Sequence, residues 1–251
     1  MDDSREVLAE LVARLRDHLG DELRALYLFG SLALGGFVPG SSDLDVLAVL
    51  DRDLDERELE PLRELHERFV ADHPAWVERI EVGYASTAVL QSFAGQPRGP
   101  VVVICPGEPL HVEQPDTKWM LNWHGLVRGG ETLYGPSPLE LGPPTTVAAF
   151  EAAVLNELES WQRDVRDQTV AYVPAKRGYI VATLCRALYG LATGEPTTKE
   201  HAVEWVAERH PEWAAYVRDQ LAAYRADVSE AHAEAIRFAE EALAEGRRLS
   251  R

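Results

Sequence analysis

Along residues 4–19 the apolar positions Val7, Leu8, Leu11, Val12, Leu15 and Leu19 recur every three or four residues, the spacing that lines one face of an α-helix. Ser4 stands where a helix N-cap belongs, and Gly20-Asp21 where the helix stops. The pattern then changes period. An apolar run at 26–29 is cut by Gly30-Ser31, a stretch rich in Gly, Pro and Ser follows, and a second apolar run carries Asp43 and Asp45 into residues 46–50. This predicts a strand, a turn with a short helix or loop, and a strand bearing two carboxylates. Beyond it, Leu59, Leu62, Leu65 and Phe69 make the stripe of an amphipathic helix over 56–71, and residues 79–85 alternate as a strand. Residues 101–105 read as a buried strand ending at Pro106-Gly107. A helix begins near Asp116 or Thr117, runs to Arg128 and is closed by Gly129-Gly130, with a short extended piece leading to Tyr134.

Four prolines and two glycines fall between residues 135 and 146, which predicts a boundary between domains at 1–142 and 143–251. Everything beyond reads as helix: 147–167, then 175–193 stopped by Gly194, then a third capped by Thr197 or Thr198 and running through Ala202, Val203, Trp205 and Val206, with one or two more after it. Strands gathered in the first part and helices in the second predict an α+β chain: a mixed sheet with flanking helices, followed by an all-α bundle.

Composition narrows the function. The chain has 251 residues, is 46% hydrophobic and carries a net charge of −17. Such acidity argues against a long nucleic acid as substrate, because phosphate contacts need Lys and Arg; it permits a small cationic partner, or does no more than keep the protein soluble. No apolar run approaches the roughly 20 residues that cross a bilayer, and the acidic N-terminus lacks a signal-peptide pattern, so a cytoplasmic location is expected and no membrane partner. Cys105 and Cys185 lie far apart in apolar surroundings and read as buried thiols.

The candidate chemistry sits where the apolar runs break. Gly30 lets backbone approach a phosphate closely, and Ser31 adds a hydroxyl. Asp43 and Asp45, two apart on a strand, project from one face, a tolerable arrangement when Mg²⁺ arriving with a nucleoside triphosphate sits between them. Glu81 is a carboxylate inside an otherwise apolar strand, costly unless a metal, a proton or a cation answers it; Gly83 and Ala85 on its face leave room for a substrate, while Glu78 reads as facing solvent. His66 and His73 lack a partner at ligand spacing and read as surface residues. Trp119 and Trp123, four apart on a helix, are either packing groups or substrate contacts.

Together, Gly30-Ser31 and Asp43-x-Asp45 resemble the motif of the nucleotidyltransferases related to DNA polymerase β. Residues 183–199 and 202–209, with Arg128 and the segment 133–136, are similar to the aminoglycoside 3''/9 adenylyltransferases, which modify streptomycin and spectinomycin. That resemblance implies a nucleotidyltransferase sheet domain with a helical bundle, ATP and Mg²⁺ as cosubstrate and cofactor, and transfer of AMP to a hydroxyl. Asp43 and Asp45 would be metal ligands, joined by Glu81 as third carboxylate and catalytic base. Gly30, Ser31, Arg186 and Lys199 would hold the nucleotide, and Glu81, Trp119 and Trp123 would face the acceptor. Residues 172–178 depart from the acidic and tryptophan positions of streptomycin-modifying members, which favours spectinomycin or another aminocyclitol; the expected protein is a monomer. The competing reading is a nucleotidyltransferase-like antitoxin or regulatory binding protein, in which Arg225 and His232 match the Arg-x6-His spacing of helical ribonuclease toxins.

Overall fold

The computed structural model describes residues 2–167, 174–226 and 232–250. The chain divides into two compact units, Met1–Thr146 and Val147–Arg251. In the first, α1 (Ser4–Leu19) leads into β1 (Leu23–Phe29), and α2 (Gly30–Ala33) and a loop precede β2 (Leu44–Leu50). Then come α3 (Glu56–Asp72), β3 (Ile80–Ser86), α4 (Thr87–Ser92), β4 (Val101–Cys105), β5 (Glu108–Glu113), α5 (Thr117–Gly129), β6 (Glu131–Tyr134) and α6 (Pro138–Leu141). The strands form one sheet in the order β5-β4-β3-β2-β1-β6. Its central pair, β2 and β3, is parallel, with α3 as the crossover a parallel pair requires; the other pairs are antiparallel.

Both faces of the sheet are covered, which is why β2 reads as continuously apolar rather than alternating. Its Leu44, Val46, Ala48 and Leu50 join Leu11, Leu15, Leu62 and Phe69 of α1 and α3 on one side, together with Ile80, Val82 and Tyr84. Leu47 and Val49 join Ala85, Val89, Trp119, Trp123 and Leu126 on the other, against α4 and α5. Asp45 and Glu81 belong by alternation to that second face, and their intermediate burial marks the place where its apolar cover runs out.

Several local expectations change. Asp3 rather than Ser4 is the N-cap of α1; Ser4 is its first residue, and its N–H donates to Asp2 Oδ1 at 3.0 Å. Asp43 stands just before β2, not within it. His66 is not a surface residue: it is 1% exposed, its Nε2 lies 2.5 Å from the Tyr84 hydroxyl, and burial pushes its pKa down to about 4. Cys185 is buried but Cys105 only half so. Strand β5 and helix α4 have no counterpart in the sequence reading. No helix among the described residues is long and apolar enough to cross a membrane.

The second unit consists of α7 (Val147–Asp167), α8 (Pro174–Thr193), α9 (Lys199–Arg209), α10 (Ala214–Ala226) and α11 (His232–Leu249). Thr198 caps α9, its side chain accepting from the His201 N–H at 3.1 Å. Helices α8 and α10 approach closely over Gly178, where a Cβ would fall 2.3 Å from the Gln220 carbonyl oxygen. Residues 172–173 of the segment that departs from the streptomycin pattern, and the side chain of His232, lie outside the described residues.

Candidate active site

The site is built at the end of β1. Phe29 pairs with Asp45 across the β1–β2 ladder, so the turn that follows Phe29 lies against that carboxylate. Gly30 takes φ +70°, and a Cβ on it would fall 1.8 Å from Asp45 Oδ2. No other residue fits there, on conformation and on space alike. Ser31 follows inside α2, and its Oγ is buried without a hydrogen-bond partner. A hydroxyl out of water with nothing to bond to is costly unless a ligand oxygen answers it.

Asp45 also lies in register with Glu81 on the parallel strand β3. With Asp43 they form a cluster in which each residue offers a carboxylate oxygen, the three atoms all within 4.8 Å of one another. Carboxylates so close repel, and one of them resists ionisation. Glu81 does so: burial first, then the charges of Asp43 and Glu113, push its pKa up to about 7, against a smaller opposing effect of Lys118. A donor set made wholly of hard oxygens, gathered against its own repulsion and flanked by an unanswered hydroxyl, fits Mg²⁺ accompanied by phosphate.

The two tryptophans part company. Trp123 is 1% exposed, its Nε1–H donating to the Pro143 carbonyl at 2.8 Å, and it is a packing group rather than a substrate contact. Trp119 is 6% exposed and lays its indole edge against β3 at Gly83. A Cβ on Gly83 would fall 2.2 Å from its Cη2, so the space above Gly83 holds this ring and not a substrate. Phe93 stacks on the ring at 5.3 Å between centroids, and its Nε1–H donates to Glu113 Oε1 at 2.5 Å. Glu113 is thereby fixed where its charge is felt at Glu81. The sequence reading missed it because β5 was not expected; Lys118, whose charge also reaches Glu81, was read only as part of a helix start. Glu78 is exposed, as expected.

In the second unit, Arg186 is exposed on α8 between the buried Cys185 and Leu188. It lies outside the apolar face of the helix. Lys199 opens α9, its Nζ donating to the Tyr224 hydroxyl at 3.3 Å and lying 5.0 Å and 4.9 Å from the Tyr179 and Tyr224 ring centroids. Aromatic faces and a hydroxyl hold this ammonium without neutralising it.

Comparison with known proteins agrees with the order of these parts. Residues 8–92 match the nucleotidyltransferase domain, and residues 143–245 the aminoglycoside adenylyltransferase C-terminal domain. Spectinomycin adenyltransferase AAD(9) from Enterococcus faecialis, solved with ATP and spectinomycin, superposes with a TM-score of 0.74 at 19% identity over 97% of this chain and 99% of its own, a likeness of fold. A toxin–antitoxin structure with AMP-PNP matches 64% of this chain and 97% of its own at 15% identity and a TM-score of 0.31, too slight a likeness to carry an argument. With both domain models matched in sequence order, the chain carries a nucleotidyltransferase domain followed by an aminoglycoside adenylyltransferase C-terminal domain, and is a nucleotidyltransferase.

Proposed function

We propose that this enzyme transfers AMP from ATP to a hydroxyl of a small cationic aminocyclitol, with spectinomycin favoured over streptomycin. The observation that carries the proposal is the cluster itself: Asp43, Asp45 and Glu81 each bring a carboxylate oxygen within 4.8 Å of the others, against the turn at Gly30.

In this reading Gly30 and Ser31 would hold the phosphate chain, and Asp43, Asp45 and Glu81 would hold Mg²⁺. When bound, Mg²⁺ supplies charge stabilisation to the attacking and departing oxygens. Glu81 takes the proton of the acceptor hydroxyl as that oxygen bonds to the α-phosphorus; the bond from the α-phosphorus to the bridging oxygen breaks, and pyrophosphate leaves with its electron pair. Arg186 and Lys199 are the cations proposed to bind the triphosphate. Glu113, fixed by Trp119, adds negative charge that is felt at Glu81 and would attract an ammonium of the acceptor.

The test is transfer of label from α-³²P-ATP to a panel of aminoglycosides and aminocyclitols. Label on spectinomycin or a related aminocyclitol, with pyrophosphate released in equal amount, is the expected result. Label on streptomycin alone would contradict the acceptor assignment, and label on none of them the reaction.

A further inference from the structure

Asp43 is the one member of the carboxylate cluster that stands outside a strand, at the end of a loop in which Gly35 and Gly40 adopt φ of +76° and +81°. Such a loop has little intrinsic stiffness, yet a metal ligand is useful only if held in place. Arg79 supplies the constraint. Its Nε and Nη2 both donate to the carbonyl oxygen of Ser42, at 2.9 and 2.5 Å, and its own carbonyl accepts from the Leu44 N–H at 2.9 Å. One residue therefore grips the chain immediately before and immediately after Asp43.

Arg79 is itself fixed. Its guanidinium lies 4.3 Å from the centroid of the Trp76 ring, and its Nη1 donates to the Ala75 carbonyl at 3.2 Å. Trp76 is buried and stacks on Phe37, a residue of the loop that Arg79 grips. Glu78, just before Arg79, takes φ +55°, the one left-handed non-glycine among the described residues. An exposed glutamate in that conformation pays a backbone cost, which the hydrogen bonds of its neighbour offset.

We propose that Arg79 is a positioning residue for the metal site: by clamping Ser42 and Leu44 it sets where the Asp43 carboxylate meets Asp45 and Glu81, and so sets the affinity for the divalent cation. The proposal rests on the reading of the cluster as a Mg²⁺ site, but requires no acceptor. Partners that orient metal ligands typically contribute on the order of 10- to 100-fold in metal affinity.

The experiment titrates Mn²⁺ into wild type, Arg79→Ala and Arg79→Lys in the presence of a non-hydrolysable ATP analogue, following free Mn²⁺ by electron paramagnetic resonance, with a metal-free melting curve for each. Arg79→Ala is expected to bind Mn²⁺ about 10-fold or more weakly, with Arg79→Lys between it and wild type, since an ammonium still reaches one carbonyl. Equal Mn²⁺ affinity in wild type and either variant would overturn the proposal, as would a loss no larger than the fall in folded fraction. If Arg79→Ala does not fold, Arg79→Lys decides alone: folded and weaker supports the clamp, folded and unchanged removes it. A wild-type chain that binds no Mn²⁺ would instead overturn the metal reading, and the clamp with it.

Discussion

At the scale of single residues, the account turns on charge that is poorly solvated on purpose. Glu81 has a pKa raised from 4.5 to about 7, so between those values the folded chain holds a proton that the unfolded chain has released. Stability of the metal-free protein therefore falls as pH rises through that window and levels off above it, with a slope of at most about 1.4 kcal/mol per pH unit. Glu81→Gln, which has no proton to lose, is expected to flatten this dependence in melting curves taken from pH 4.5 to 7.5, and to lower kcat by about 100-fold or more if Glu81 is the base. A variant that stays fast while keeping the pH slope would remove Glu81 from both roles. Glu113→Gln should act differently. It keeps the bond from Trp119 and loses the charge, so the KM of a cationic acceptor is expected to rise about 5-fold or more, the loss of about 1 kcal/mol given by a partly solvated ion pair, with kcat nearly unchanged. An unchanged KM would mean that this carboxylate does not face the acceptor.

At the scale of elements, the sheet was legible where the chain is apolar and obscure where it is not. The runs that became β1, β2 and β4 could be read because strands covered on both faces have no polar alternation to confuse them. Glu81 stood out for the same reason, as a carboxylate against that background. β5 was missed because it is an edge strand of Glu-Pro-Leu-His-Val-Glu, in which Pro109 is tolerated only at an edge. Glu113 went with it. His66 looked polar and was read as exposed, but it lies one turn from Leu62 on the same helix face and satisfies its Nε2 on Tyr84. Arg79 carries no signal in the sequence at all, since its role depends on a contact with Ser42, 37 residues away. Gly83 was read as room for a substrate, whereas it admits Trp119. Gly83→Ala would drive that ring off β3 and draw its Nε1 away from Glu113. The expected cost is about 1–3 kcal/mol in a melting curve, together with a raised acceptor KM. Full stability in that variant would show that the ring is not seated on Gly83.

At the scale of the whole molecule, the two units carry different parts of the assignment. The first holds the carboxylate cluster, and the second holds Arg186 and the aromatic-bound Lys199, the two cations proposed to bind the triphosphate. The proposed acceptor class rests on the match to the aminoglycoside adenylyltransferase C-terminal domain, with which a net charge of −17 is compatible, while the proposed chemistry rests on the cluster. The most direct test of the central claim is single-turnover transfer of labelled AMP from ATP to spectinomycin, at saturating Mg²⁺, by wild type and by Asp45→Asn. That substitution preserves the volume packed against Gly30 and removes one charge from the cluster. The account predicts transfer by wild type and a loss of at least about 100-fold in the variant, with its metal-free melting temperature equal to or above that of wild type, because like-charge repulsion has been relieved. An Asp45→Asn enzyme that transfers AMP at near wild-type rate would contradict it.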